Sequence, residues 1–120
     1  MSQYLLSVHA VEGVDQEPMT EAEMHASMKD VMALEAEMKQ SGVFVFGGKL
    51  HDATEATVVR SQPGGLSMTD GPFAEAKEHI AGFYIINAAD LAEAHNWAER
   101  VVSVIKVPLE VRPFFEMPGA

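Results

Sequence analysis

Apolar positions along this chain alternate between two spacings, and the switches mark out its elements. Gln3 to Val8 reads as a short strand with two faces: Tyr4, Leu6 and Val8 on one, Leu5, Ser7 and His9 on the other. Glu12 to Met19 is polar and contains Pro18, which predicts a loop. Thr20 with Glu23 makes a capping box that opens a helix. Met24, Met28, Val31, Leu34 and Met38 then recur at helical spacing, and Gly42 stops the run. Val43 to Leu50 predicts a second strand, in which Gly47-Gly48 marks a bulge or a close backbone approach. Thr54 to Arg60 and Leu66 to Thr69 flank Pro63-Gly64-Gly65, a hairpin signal. Ile80 to Ala88 is a stronger strand. Asp90 and Glu93 cap a second helix with apolar positions Leu91, Ala94, Ala98, Val101 and Ile105. Leu109 to Phe114 closes the pattern, and residues 117–120 should fray.

The order is two βαβ halves with a hairpin inserted between them, an α+β arrangement. Two helices do not suffice to cover both faces of such a sheet. If they pack on one face, Leu5 and its neighbours on the other meet water unless something else covers them. A second copy of the chain is the simplest cover, so a homodimer is expected.

Composition narrows the function. A chain of 120 residues, 48% of them hydrophobic, is expected to form one domain with a real core. No apolar run has the length of a membrane span. The chain opens directly into a strand-like run, so no signal peptide is expected. It has no cysteine, which removes disulfides and thiolate chemistry and agrees with a cytoplasmic location. Eighteen acidic residues against eight basic ones give a net charge of -10. Such a body repels nucleic acid and anionic membrane surfaces. The five histidines are scattered, so no metal and no cofactor is expected. His25 and His95 read as ordinary helix-surface residues. The Met24, Met28, Met32 stripe reads as packing against the sheet or a partner.

The stretch Asp70-Gly71-Pro72-Phe73-Ala74-Glu75-Ala76-Lys77-Glu78 reads neither as helix nor as strand. Gly71 and Pro72 shape a turn that Asp70 can brace by a forward hydrogen bond, and Phe73 should pack beneath a neighbour. A shaped polar loop between strands is a good place for a site. His9 is the candidate for proton exchange near neutral pH, at the end of its strand. Lys77 is either an anion holder or a solvated partner of Glu75 or Glu78. Glu110 and Arg112 share a face of the last strand and either pair with each other or leave Arg112 as an anion clamp. His79 stands where the loop meets the next strand.

These residues carry a resemblance. Asp70 to Glu78, followed by His79-Ile80-Ala81-Gly82-Phe83-Tyr84, resembles the signature of the YCII-related family in its DGPF-motif branch. Tyr4 to His9, Gly47 to His51, Ala56 to Arg60, Ala94 with Trp97-Ala98, and Glu110 to Phe114 resemble other segments of that family in the right order. Asp52-Ala53 stands where relatives often carry prolines, which should loosen the entry to the next strand. The resemblance implies a ferredoxin-like unit that dimerises face to face into an α/β barrel. It implies a cofactor-free, lyase- or isomerase-like enzyme acting on a small, anionic organic molecule. His9 and Asp70 would be the catalytic pair, with His51, Lys77, Phe73 and Arg112 as substrate-binding residues. The alternative is a non-catalytic dimeric ligand-binding or regulatory module, because relatives are associated with extracytoplasmic-type sigma factors.

Overall fold

A computed structural model describes residues 2–11, 19–73 and 76–116. The predicted loop at 12–18, Glu75 as a partner for Lys77, and the fraying end at 117–120 lie outside the described residues. Strand β1 spans Ser2–Val11, helix α1 Glu21–Gln40 and strand β2 Phe44–Lys49. Strands β3 (Thr57–Gln62) and β4 (Gly65–Asp70) form the hairpin. Strand β5 (Glu78–Ala88), helix α2 (Leu91–Ile105) and strand β6 (Leu109–Pro113) complete the chain. The main sheet has the order β2-β5-β1-β6, and β3-β4 is a separate two-stranded sheet. The neighbouring strands are antiparallel throughout. This α+β arrangement is compatible with a ferredoxin-like fold carrying an inserted hairpin.

The caps follow the sequence. Thr20 Oγ1 accepts from the Glu23 N–H at 3.1 Å, and Asp90 does the same for Glu93 at 2.9 Å. Each satisfies one orphan donor of a first turn. Ser41 caps the other end of α1, and Gly42 takes a φ of 73°, the left-handed conformation that ends helices. In the hairpin Pro63 precedes Gly64 at a φ of 96°, the residue pair a type II turn asks for.

Both helices lie on the same face of the main sheet. Tyr4 and Leu6 of β1 and Tyr84, Ile86 and Ala88 of β5 pack there against Leu34 and Met38 of α1 and Ala94, Ala98 and Val101 of α2. Leu6, Met38, Ile86 and Val101 are fully buried. Each contributes about 1.5–3 kcal/mol by leaving water. Three expected core positions are not core. Met24 and Met28, with Met32, stand 52%, 62% and 65% exposed, so the stripe does not pack on the sheet. The inward face of α1 runs instead through Ser27, Val31, Leu34, Glu35 and Met38. Leu91 is likewise exposed in the first turn of α2, whose buried residues are Ala94, Ala98 and Val101. The predicted strand from Thr54 begins later: residues Ala53–Glu55 form a 3-10 turn. Asp52 caps it by accepting from the Thr54 N–H at 3.0 Å, and that bond holds its carboxyl below the ordinary value. The entry to β3 is therefore braced rather than loose.

The Gly47-Gly48 pair divides in two. A Cβ on Gly47 would lie 2.5 Å from Tyr84 Cδ1 and 2.7 Å from the Phe83 carbonyl oxygen, whereas one on Gly48 meets nothing within 4 Å. Gly47 is the close approach and Gly48 is open space. Gly47→Ala should destabilise the fold by about 1–3 kcal/mol, the usual range for overpacking against backbone. Gly48→Ala should stay within about 0.5 kcal/mol of wild type. Paired urea melts measure both; equal costs would contradict the close approach.

Candidate functional site

The face of the main sheet away from the helices carries two of the residues expected to act, His9 and Arg112. Alternation along β1 turns Leu5, Ser7 and His9 to this side. Ser7 lies opposite Phe83 of β5 and Glu110 of β6, and Leu5 opposite Ile85 and Arg112. Phe46 adds its ring, 6.0 Å from that of Phe83. Ser7 is only 3% exposed, and its hydroxyl shares a 2.9 Å hydrogen bond with His9 Nε2. The face thus offers an apolar floor, a serine–histidine pair, and Arg112 beside Glu110 at 3.6 Å along the β6 edge. That ion pair is the bland reading of Glu110 and Arg112, and it is the one observed.

Two details of His9 differ from expectation. It sits inside β1, which runs on to Val11, rather than at the strand's end. The register with β5 shifts between Val8 and His9, so His9 faces Ile80 and Ala81 is the extra residue. Its hydrogen-bond partner is the neutral Ser7 hydroxyl. Among the described residues no hydrogen bond or ion pair joins Asp70 to His9.

The remaining candidates are dispersed. Asp70 is the last residue of β4, paired with Thr57, and is exposed. It makes no forward hydrogen bond among the described residues. The turn is held instead by the Gly71 N–H donating to the Ala56 carbonyl at 2.7 Å, and the Gly71-Pro72 peptide is cis. Phe73 does not pack beneath a neighbour: it is 55% exposed, with the Arg60 guanidinium 5.3 Å above its ring. Lys77 is exposed. His51 pairs with Glu55 one helical turn on, Nδ1 to Oε2 at 3.0 Å, in the open. His25 and His95 are exposed on their helices, and His79 lies within β5. Among the described residues no group of three or more His, Asp or Glu is placed to hold a metal ion. No helix among them is long and apolar enough to cross a membrane.

A second feature escaped the sequence reading. A cavity of about 390 Å³ opens between α1 and the end of the sheet, bordered by Val8, His9, Val31, Glu35, Tyr84 and Ile105 among others. Its polar centre is the Tyr84 hydroxyl donating to Glu35 Oε1 at 2.7 Å. Burial first, and then the Glu35 carboxylate, raise the Tyr84 phenol above its ordinary value of 10.0. The signal was present: Glu35 follows Val31 by one turn and precedes Met38 by less than one, so it interrupts the inward face of α1.

Comparison with known families matches the model of the YCII-related domain to residues 4–117. A protein of Rhizobium meliloti (strain 1021), described as an uncharacterized protein, is 37% identical over 71 residues. That segment is 59% of this chain and 57% of the relative, so the match spans little more than half of either.

Tyr84 gives this geometry a measurable sign. Below pH 10.0 the phenol keeps its proton in both folded and unfolded chains, and the Glu35 bond contributes fully. Above it the unfolded chain releases the proton while the folded chain holds it, so stability should fall as pH rises. Tyr84→Phe should cost about 1.5 kcal/mol at neutral pH, the low end for a bond to a charged acceptor because Glu35 keeps access to water. The variant should also lose part of the alkaline slope. Urea melts of both proteins from about pH 9 to 11, about one unit either side of the ordinary tyrosine value, measure the two effects.

Proposed function

We propose a function for this chain, which belongs to the YCII-related family, on the helix-free face of its sheet. Two copies pair through those faces into a dimeric α/β barrel of the DGPF type, and the cleft between them binds a small organic acid. One observation supports the reading above others: a nearly buried serine hydroxyl holds an imidazole on an apolar sheet face that no described helix covers. Leu5, Phe46, Phe83 and Ile85 would form the dry floor, and an excluded-water site strengthens charge interactions.

In this reading His9 is the acid/base of a lyase- or isomerase-like step. It takes a proton from a carbon beside the substrate's carboxylate. The C–H electrons become a new double bond, and a leaving group departs with its bond pair or the proton returns at another carbon. Asp70 would meet and orient His9 in the assembled dimer. Arg112 and Lys77 would hold the carboxylate, with His51 and Phe73 at the rim. A cytoplasmic location fits the absence of cysteine.

A second reading follows from the partner of His9. The Ser7 hydroxyl is neutral, and a neutral partner stabilises an imidazolium less than a carboxylate does. That favours a non-catalytic dimeric binding module, with a regulatory role beside an extracytoplasmic-type sigma factor as its form.

Light scattering at micromolar concentration should give twice the 13.0 kDa of one chain, and Leu5→Arg should give single chains. A monomeric wild type sinks the cleft. In the dimer, Asp70→Asn should change the NMR titration of the His9 imidazole and weaken the response to organic acids. An unchanged titration with an unchanged ligand response would leave Asp70 as a turn residue and favour the binding module.

A further inference from the structure

The cavity beneath α1 opens on the helix side of the sheet, at the sheet end where His9 and Phe83 of the proposed cleft also border it, and its Glu35–Tyr84 centre lies within one chain. It encloses about 390 Å³, within the range of sites that take small organic molecules. Its walls are mostly apolar: Val8 from β1, Val31 from α1, and Ile105 and Val107 beyond the end of α2. One anionic group interrupts them. Glu35 spends one oxygen on the Tyr84 hydroxyl, and its other oxygen has no partner among the described residues. A carboxylate has room for about four donors, so this one retains most of its accepting capacity.

Of the charged groups around the pocket, Glu35 is the one at its polar centre. The phenol stays neutral because burial and Glu35 both disfavour the phenolate, so Tyr84 fixes the carboxylate without neutralising it. Lys49 also borders the cavity, yet no ion pair links it to Glu35. The net charge of -10 raises the local concentration of cations and repels anions. We propose that this cavity is a second binding site, which takes a small organic amine. The ammonium head sits on the free oxygen of Glu35, and the apolar body lies between Val31 and the Val8 side of the sheet.

Amide NMR titrations with 2-phenylethylamine and 3-phenylpropionate, each on the full chain, test the assignment. The amine should bind saturably and shift the amides of Val8, Val31, Gly82 and Ile105, and the acid should leave them unmoved. Glu35→Gln keeps an acceptor for the Tyr84 hydroxyl and removes the charge. It should weaken the amine by roughly tenfold or more, as loss of a charge-assisted contact does. Val31→Trp should block the amine by filling the cavity, and a cooperative melt for each variant certifies the fold. Amine shifts scattered elsewhere, equal binding of the acid, or undiminished affinity in Glu35→Gln would each overturn the proposal. Because the readout lies under α1, a monomeric protein that still binds the amine would refute the cleft and leave this site standing.

Discussion

Everything in this chain hangs on one asymmetry: two helices bury one face of a four-stranded sheet and leave the other without a helix. Tyr4, Leu6, Tyr84 and Ile86 project into the helix layer and supply most of the sheet's share of the core. Leu5, Phe83 and Ile85, one residue along, project the other way and remain partly exposed. Since strand side chains alternate strictly, neither face can be adjusted without moving the other. A sheet that is apolar on both sides reads as one built to be covered twice. The chain supplies one cover itself, and the proposed dimer would supply the second.

Strand β5 is where the constraint tightens. It is the inner strand between β1 and β2, and its ladder with each of them carries one register shift. Its Tyr84 crowds Gly47 so closely that a methyl group there would strike ring and backbone, and its hydroxyl reaches Glu35 on α1. One residue thereby touches β2, bonds α1 and lines the cavity. The exposed Met24, Met28 and Met32 show the contrast. That half of α1 turns its apolar side outward, while Glu35 is held inward by a single phenol.

Periodicity made the fold legible, because the strands and helices here are the output of local rules. Caps at Thr20 and Asp90, the stop at Gly42 and the turn at Pro63-Gly64 each followed from one or two residues. The helix faces were less legible. Met24, Met28, Val31, Leu34 and Met38 all fit a helical stripe, and only the presence of the sheet decides that Val31, Leu34 and Met38 face it. The site was legible in part. Ser7 and His9 share a strand face by alternation, and their hydrogen bond needs no long-range information. Asp70 and Phe73 were harder, because a turn motif fixes its own backbone but not where the hairpin as a whole comes to rest. Phe73 ends up half exposed under Arg60 instead of buried. Glu35 with Tyr84 spans 49 residues of sequence, and no local pattern reports such a pair.

The bulge in β5 ties the two candidate sites together. With Ala81 as the extra residue, Ile80 rather than Ala81 lies opposite His9, so the larger side chain joins the helix-free face beside the imidazole. The displaced Ala81 turns its carbonyl to the Leu50 N–H at 2.8 Å and borders the cavity on the other side. Gly82, next in line, is a tight fit for a side chain, because a Cβ there would lie 3.0 Å from the Gly48 carbonyl oxygen. A bulge bends its strand and disturbs the ladder locally. Here that disturbance falls beside His9, which is bonded to Ser7 and also borders the carboxylate-lined hollow. An uninterrupted ladder would place Ala81 opposite His9 and bring the strands together at the cavity mouth. The irregularity thus lies where the proposed cleft and the proposed amine site adjoin.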